Sequence, residues 1–188
     1  MSFRYDRDTV FDAASFSMPM QGFAVVTGSS GIGKSTLLKL MLGMIHPHKG
    51  NLYVETAEGR TVLGRSTRRL FAYVPQGNLL LSGTLRENLT LVRPDATEDE
   101  IEQAVFVSAM DEFLPTLPQG LETVVGENAA GLSEGQSQRL AIARAVLGGA
   151  PILLLDECTS ALDETTEKTV LKRLRDLAGR TCIAVTHR

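Results

Sequence analysis

The chain has 188 residues, a length that fits one domain, and 43% of them are apolar, which is enough for a core. Its formal net charge of −3 argues against a protein that mainly coats nucleic acid, since such proteins are usually strongly basic. No run approaches the ~18 apolar residues of a membrane span, and the N-terminus is charged from Arg4 onward, unlike a signal peptide. The two cysteines, Cys158 and Cys182, have no partner motif and lie in apolar runs, so we predict that both are buried.

The first predicted unit is a strand, a loop and a helix. The β-branched run Phe23–Thr27 predicts a buried strand, and a glycine-rich turn follows it. The next stretch, Lys34–Met44, predicts a helix that ends near Gly43. Two further short strands are predicted over Asn51–Val54 and Leu70–Val74.

The middle of the chain contains three capping boxes, each of which predicts the start of a helix. They are Thr84–Glu87, Thr97–Glu100 and Ser133–Gln136. The second helix is expected to end near Ser108 and the third near Leu147, with a proline-broken loop between them. The middle third is therefore mainly helical.

The C-terminal third returns to alternating strands and helices. The aliphatic run Ile152–Leu155 is typical of a strand buried on both faces, Asp163–Ala178 predicts an amphipathic helix, and Cys182–Thr186 predicts a last strand. This alternation implies an α/β sandwich around a mostly parallel sheet. We predict a single domain over residues 1–188, with a helical subdomain at about 77–149 inserted into a core of about 1–76 and 150–188.

A phosphate site is predicted between the first strand and its helix. The segment Gly28–Ser35 matches G-x-x-x-x-G-K-[ST] at every position. Its glycines let successive N–H groups point at phosphate oxygens, the helix N-terminus adds positive potential, Lys34 adds a charge, and the Ser35 hydroxyl can ligate Mg²⁺. The predicted nucleotide-binding residues are Gly28, Ser29, Ser30, Gly31, Ile32, Gly33, Lys34, Ser35 and Thr36.

A pair of carboxylates is the second element of this site. Asp156 and Glu157 follow the aliphatic strand, at the end where open α/β sheets bind ligands. We predict that Asp156 holds Mg²⁺ through water and that Glu157 polarises the water that attacks the γ-phosphate of ATP.

Five further segments resemble motifs of one family of P-loop proteins. The segment Leu132–Gln136 is similar to the signature LSGGQ, Gln76 lies in a Q-loop pattern, and Ser160–Asp163 matches a D-loop. His187 stands where a switch histidine is found, and Tyr5 where an aromatic residue stacks on adenine. In order and spacing the chain resembles an ATP-binding cassette (ABC) ATPase, the nucleotide-binding domain of ABC transporters, over nearly its whole length.

The resemblance implies a P-loop NTPase fold of the ABC-ATPase type, with a RecA-like α/β core, an antiparallel β part and an inserted helical subdomain. It also implies a composite site. One cassette supplies the glycine-rich loop, Gln76, Asp156, Glu157 and His187, with Gln76 as a further Mg²⁺ ligand. A second cassette supplies Ser133, Gly135 and Gln136. Catalytic roles are implied for Glu157, His187 and Gln76, and the cofactors are ATP and Mg²⁺.

The subfamily is indicated by segments that resemble the exporter-type pattern: Leu81–Asn88, Leu117–Gly120 and Thr123–Glu127. This pattern implies a fused transmembrane domain, a place at the cytoplasmic face of the cell membrane, and no nucleic-acid partner. Relative to the family, the first strand and the C-terminal end are expected to lie outside these 188 residues.

The signature departs from the family at Glu134, which we expect to point away from phosphate because a carboxylate is favourable in a first helical turn.

Two alternative functions are considered. A soluble ABC protein acting on DNA or ribosomes would carry a long coiled coil between its glycine-rich loop and its pair of carboxylates, or two tandem cassettes, and neither is seen in this sequence. A regulatory cassette that binds ATP without hydrolysing it is disfavoured by the intact Glu157 and the signature segment.

Overall fold

The computed structural model describes residues 1–77, 80–126 and 131–186. The described strands are β1 (Phe3–Tyr5), β2 (Asp8–Phe11), β3 (Phe23–Thr27), β4 (Tyr53–Thr56), β5 (Gly59–Val62), β6 (Phe71–Val74), β7 (Gly83–Thr84), β8 (Val124–Val125), β9 (Ile152–Asp156) and β10 (Thr181–Thr186). The described α-helices are α1 (Lys34–Met41), α2 (Leu85–Thr90), α3 (Glu98–Val107), α4 (Glu134–Leu147) and α5 (Glu164–Arg175). No helix in these described ranges is long and apolar enough to cross a bilayer.

A four-stranded parallel sheet, in the order β3-β10-β9-β6, forms the centre of the fold. In its register Val185 of β10 lies between Val26 of β3 and Asp156 of β9. All four carboxyl ends therefore reach one edge, where the loops after β3, β6 and β9 begin. This is the edge at which open parallel sheets bind ligands.

Both faces of the sheet are covered, because successive residues of a strand point to opposite sides. Ile152 and Leu154 of β9 pack with α1 on one side. Leu153 and Leu155 pack on the other side, in the larger cluster that also contains buried residues of α2, α3, α4 and α5. Continuous burial explains why the β9 sequence is purely aliphatic before Asp156.

All three predicted capping boxes are confirmed. The side chains of Thr84, Thr97 and Ser133 accept backbone N–H groups at the starts of α2, α3 and α4. α2 and α3 both pack on α4, so the middle of the chain is helical as expected. The predicted fold class is confirmed, whereas the subdomain boundaries at 77 and 149 stay a prediction.

The antiparallel β part that the family resemblance implies consists of two-stranded pairs, β1 with β2, β4 with β5, and β7 with β8. The sequence did not predict the β1–β2 hairpin, and its strand near residue 51 begins instead at Tyr53. These strands are two to four residues long and mostly exposed, so they carry little of the apolar alternation that marks a half-buried strand. The proline-broken segment after α3 also contains a short 3₁₀ turn, Leu114–Thr116.

The helix predicted over Lys34–Met44 ends at Met41, because Gly43 adopts a left-handed φ of 60°. The Gly43 N–H donates to the Leu40 carbonyl at 3.0 Å and the Met44 N–H to the Lys39 carbonyl at 2.9 Å, which is a Schellman ending. Arg68 donates to the carbonyls of Leu42 and Gly43 at 2.9 and 2.8 Å. The helix terminus is thus anchored to the segment before β6.

The predicted burial of both cysteines is confirmed, since Cys158 and Cys182 lie in the larger apolar cluster. Burial raises the pKa of the Cys182 thiol to about 12, and it also raises that of Cys158, because the thiolate loses its hydration. Both side chains therefore pack as small neutral groups.

We predict that Gly43→Ala lowers the free energy of unfolding by about 1–3 kcal/mol. A Cβ at this left-handed position would lie 2.5 Å from the backbone Cα of Gly64, so both strain and a backbone clash oppose it. Urea denaturation measures the change. The matched control is Gly64→Ala, whose added Cβ meets no atom within 4 Å and whose φ of −178° suits any residue, so a change within about 0.5 kcal/mol is expected. Equal losses in the two variants would contradict this explanation.

Candidate functional site

The loop between β3 and α1 has the backbone curvature that its glycines predict. Gly28, Gly31 and Gly33 have φ values of 151°, 83° and 106°, which residues with a Cβ rarely adopt. Gly33 is also the N-cap of α1, so the helix begins directly from the curled loop. This geometry fits a phosphate group, since a helix N-terminus preceded by such a loop presents free N–H groups.

Lys34 folds back over the same loop. Its ammonium group donates to the carbonyls of Gly28 and Ser29 at 2.7 and 2.9 Å, and it lies 3.9 Å from Oε1 of Glu157. The lysine is only 6% exposed, so its charge is compensated inside the protein rather than by bulk water. The ammonium group thus lies between the loop and the end of β9.

Asp156, the last residue of β9, accepts a hydrogen bond on each of its oxygens. Ser35 donates to Oδ1 at 3.0 Å and the Tyr73 hydroxyl donates to Oδ2 at 3.1 Å. Burial raises the pKa of Tyr73 to about 12, and the charge of Asp156 and the hydrogen bond act in the same direction. Tyr73 therefore stays a neutral donor at physiological pH.

Glu157 is held in a backbone conformation that is unusual for a non-glycine residue, with φ of 54°. Such a conformation costs about 1–3 kcal/mol and persists where the surroundings impose it. Here the Glu157 N–H donates to the Val185 carbonyl at 3.1 Å, and Gln76, two residues after the end of β6, donates to Oε2 at 3.0 Å. The structure thus brings the predicted residues Lys34, Gln76 and Glu157 together.

The oxygen ligands that Ser35 and Asp156 offer suit Mg²⁺. Among the described residues, no group of three or more histidine, cysteine or acidic side chains could hold a metal by itself. Mg²⁺ usually takes one or two carboxylates and completes its shell with phosphate and water oxygens. The hydroxyl of Ser35 beside the carboxylate of Asp156, next to a phosphate-type loop, meets that requirement.

The signature segment is placed by α4. The Ser133 hydroxyl accepts the Gln136 N–H at 3.2 Å, and the Gln136 side-chain oxygen accepts the Ser133 N–H at 2.9 Å. Glu134 is exposed in the first turn. Among the described residues, the hydrogen bonds of Ser133 and Gln136 stay within this helix start, so the structure does not join them to the loop after β3.

A contact that the sequence did not predict ties this helix to the turn after β9. The amide of Gln138 donates to Ser160 Oγ and accepts the Ala161 N–H, both at 3.1 Å, and the side chain is only 4% exposed. A Cβ on Gly135 would lie 2.9 Å from the Ala161 carbonyl oxygen, so the glycine permits this close approach. A glutamine on an amphipathic helix gives no sequence signal for such a partner.

Tyr5 ends β1 and is 45% exposed, with its ring edge-on to Phe3 at 4.8 Å between centroids. Its hairpin reaches the glycine-rich loop, because a Cβ on Gly33 would collide with the Val10 side chain of β2. Tyr5 therefore offers an exposed ring on a hairpin that touches the loop. His187, the remaining predicted site residue, lies outside the described residues.

Comparison with known sequences identifies one family. The sequence model described as ABC transporter matches residues 11–160. The chain is 38% identical over 191 residues to the mycobactin import ATP-binding/permease protein IrtB of Mycobacterium tuberculosis, covering 100% of this chain and 33% of that protein. It is 41% identical over 180 residues to the glutathione/L-cysteine transport system ATP-binding/permease protein CydD of Escherichia coli, covering 95% and 30%.

Comparison with solved structures identifies the same family. A bacterial Atm1-family ABC exporter with ATP bound matches with a TM-score of 0.86 and 35% identity, covering 100% of this chain and 33% of that one. The chain therefore spans about a third of the length of the curated relatives and of the solved structure that it matches.

We predict that Gln138→Ala lowers the free energy of unfolding by about 1–3 kcal/mol, because it deletes two hydrogen bonds that each contribute about 0.5–1.5 kcal/mol. Guanidinium denaturation followed by circular dichroism measures the loss. Gln103→Ala, on the exposed face of α3, serves as the matched control and is expected to change the value by no more than about 0.5 kcal/mol. A Gln138 variant as stable as this control would show that the link to the turn after β9 contributes nothing.

Proposed function

This chain belongs to the ABC transporter family, and we propose that it binds and hydrolyses MgATP at an interface with a second ABC cassette to power transport across a membrane. The observation that carries the proposal is the convergence of Lys34, Ser35, Asp156 and Glu157 at the carboxyl edge of the sheet. Lys34 supplies a cation for phosphate. Ser35 and Asp156 supply oxygen ligands for Mg²⁺, and Glu157 supplies a carboxylate that can polarise the attacking water.

The glycine-rich loop would hold the phosphates of ATP through its backbone N–H groups, from Gly28 to Thr36, with Lys34 on the outer phosphates. Ser35, Asp156 and Gln76 would hold the Mg²⁺, which when bound neutralises charge on the phosphate oxygens. Glu157 would accept a proton from the attacking water, with Gln76 and His187 helping to orient it. Tyr5 would stack on the adenine, for which its exposed ring is suited.

The second cassette would complete the site with Ser133, Gly135 and Gln136. Because the Ser133 hydroxyl accepts the Gln136 N–H and donates to no acceptor among the described residues, its own hydrogen can point to a phosphate. The start of α4 adds the positive end of its helix dipole. Glu134 is exposed beside it, so it lies in water rather than in a closed pocket of this chain. ATP would then bridge two cassettes, and hydrolysis would release them.

We further propose a fused transmembrane domain, a place at the cytoplasmic face of the membrane, and export as the direction of transport. The relatives IrtB and CydD are named as ATP-binding/permease proteins, and the whole chain matches an Atm1-family exporter. IrtB is named for import, so the direction has to be measured with the membrane domain present. Neither alternative function, on nucleic acid or as a regulatory cassette, finds support in these relatives.

We predict that Glu157→Gln keeps ATP binding but nearly abolishes phosphate release in the full-length protein, because the amide retains the shape of the side chain and cannot accept the proton. ATP-bound dimers should accumulate. Phosphate release and size-exclusion chromatography with MgATP measure the two effects. The control is Glu102→Gln, an exposed position on α3, which should hydrolyse ATP at the unaltered rate.

One result would contradict the role of Glu157, and another would contradict ATP hydrolysis by the protein. If the Glu157 variant turned over ATP as fast as its control, the carboxylate would not be the base. If the unaltered full-length protein bound MgATP yet released no phosphate, it would be a binding-only cassette instead of an ATPase.

A further inference from the structure

Ser35 and Tyr73 each donate a hydrogen bond to the Asp156 carboxylate, and Tyr73 belongs to none of the predicted motifs. We propose that Tyr73 is a positioning residue for the divalent metal, fixing the orientation of the Asp156 carboxylate so that it and Ser35 present their oxygens to one cation. The inference rests on the proposed MgATP site and adds a residue that acts through Asp156 without touching the metal.

The strand register brings the tyrosine to the aspartate. β6 and β9 are parallel neighbours in which Tyr73 lies opposite Leu154. Asp156 is two residues beyond Leu154 and so points to the same side of the sheet, the side that packs on α1. The tyrosine is long enough to reach forward by those two residues, and its hydroxyl donates to Asp156 Oδ2 at 3.1 Å.

Because Asp156 is buried, the hydrogen bond from Tyr73 has a large effect on how the carboxylate is held. The residue is only 3% exposed, and a buried carboxylate is costly unless its oxygens accept hydrogen bonds. Ser35 reaches Oδ1 from α1, and Tyr73 reaches Oδ2 from β6. Because the two donors come from different elements, they fix both the position of the carboxylate and its rotation about the Cβ–Cγ bond.

This arrangement also orients the serine. With its hydrogen committed to Asp156 Oδ1, the Ser35 oxygen keeps its lone pairs for a cation. If Tyr73 lost its hydroxyl, Oδ2 would lose the one donor that the described residues give it, and the carboxylate could turn, carrying the Ser35 hydrogen bond with it. Partners of metal-ligating groups typically change metal affinity by about 10- to 100-fold when removed.

The test is Tyr73→Phe in the full-length protein, which keeps the ring packed on the α1 side and deletes only the donor. Binding of a fluorescent ATP analogue is measured in EDTA and during titration with Mg²⁺. We expect the Mg²⁺ concentration at half-maximal effect to rise about tenfold or more, with metal-free nucleotide affinity unchanged within about twofold. The matched control is Tyr53→Phe on β4, a half-exposed tyrosine that stacks with Arg60, and it should leave the Mg²⁺ dependence unaltered.

A double-mutant cycle asks whether Tyr73 acts through Asp156. In an Asp156→Ala background the Tyr73→Phe change should no longer alter the Mg²⁺ dependence, whereas an undiminished effect would contradict the inference. An unchanged Mg²⁺ dependence in Tyr73→Phe alone, or an equal loss of metal-free binding, would also overturn it. Failure of the unaltered protein to bind the analogue with Mg²⁺ would instead refute the proposed function.

Discussion

The hydrogen bond from Ser35 to Asp156 joins two parts of the chain that are 121 residues apart in sequence. It can form because β3 and β9 are parallel and separated only by β10, so the helix that follows β3 starts beside the end of β9. The apolar residues that hold these strands in register, Leu153 and Leu154 among them, therefore also determine the spacing of the polar site. A shift of one residue in β9 would turn Asp156 to the opposite face of the sheet.

Charge compensation is the second constraint on the site. Lys34, Asp156 and Glu157 are all buried, and each would be costly alone. Lys34 lies 3.9 Å from Glu157 and also donates to two loop carbonyls, while Asp156 accepts two neutral donors. The left-handed backbone of Glu157 adds strain to this arrangement. Stability is given up here to keep charged groups close together, which is typical of sites that act on charged ligands.

The features that could be predicted from the sequence are those that depend on local patterns of neighbouring residues. The loop Gly28–Ser35, the three capping boxes and the aliphatic run before Asp156 each follow from the spacing of neighbouring residues, and the parallel sheet follows from their order. The contacts of Tyr73 and Gln138 were not predicted because the partner of Tyr73 is 83 residues away and those of Gln138 are 22 and 23 residues away, so only the folded chain brings them close. The positions of most of the short antiparallel strands were not predicted for a different reason, since strands this brief and exposed carry little apolar alternation.

The central claim is that the curled loop after β3 holds nucleotide phosphates with Lys34 as its cation. Isothermal titration calorimetry of the full-length protein with MgATP tests it most directly, comparing Lys34→Ala with Lys39→Ala, an exposed lysine one turn further along α1. Loss of the buried ammonium group should weaken MgATP binding at least about 100-fold, the loss expected when a close charge pair worth about 3 kcal/mol is removed, and Lys39→Ala should leave it unchanged. Equal affinities in the two variants would contradict the claim.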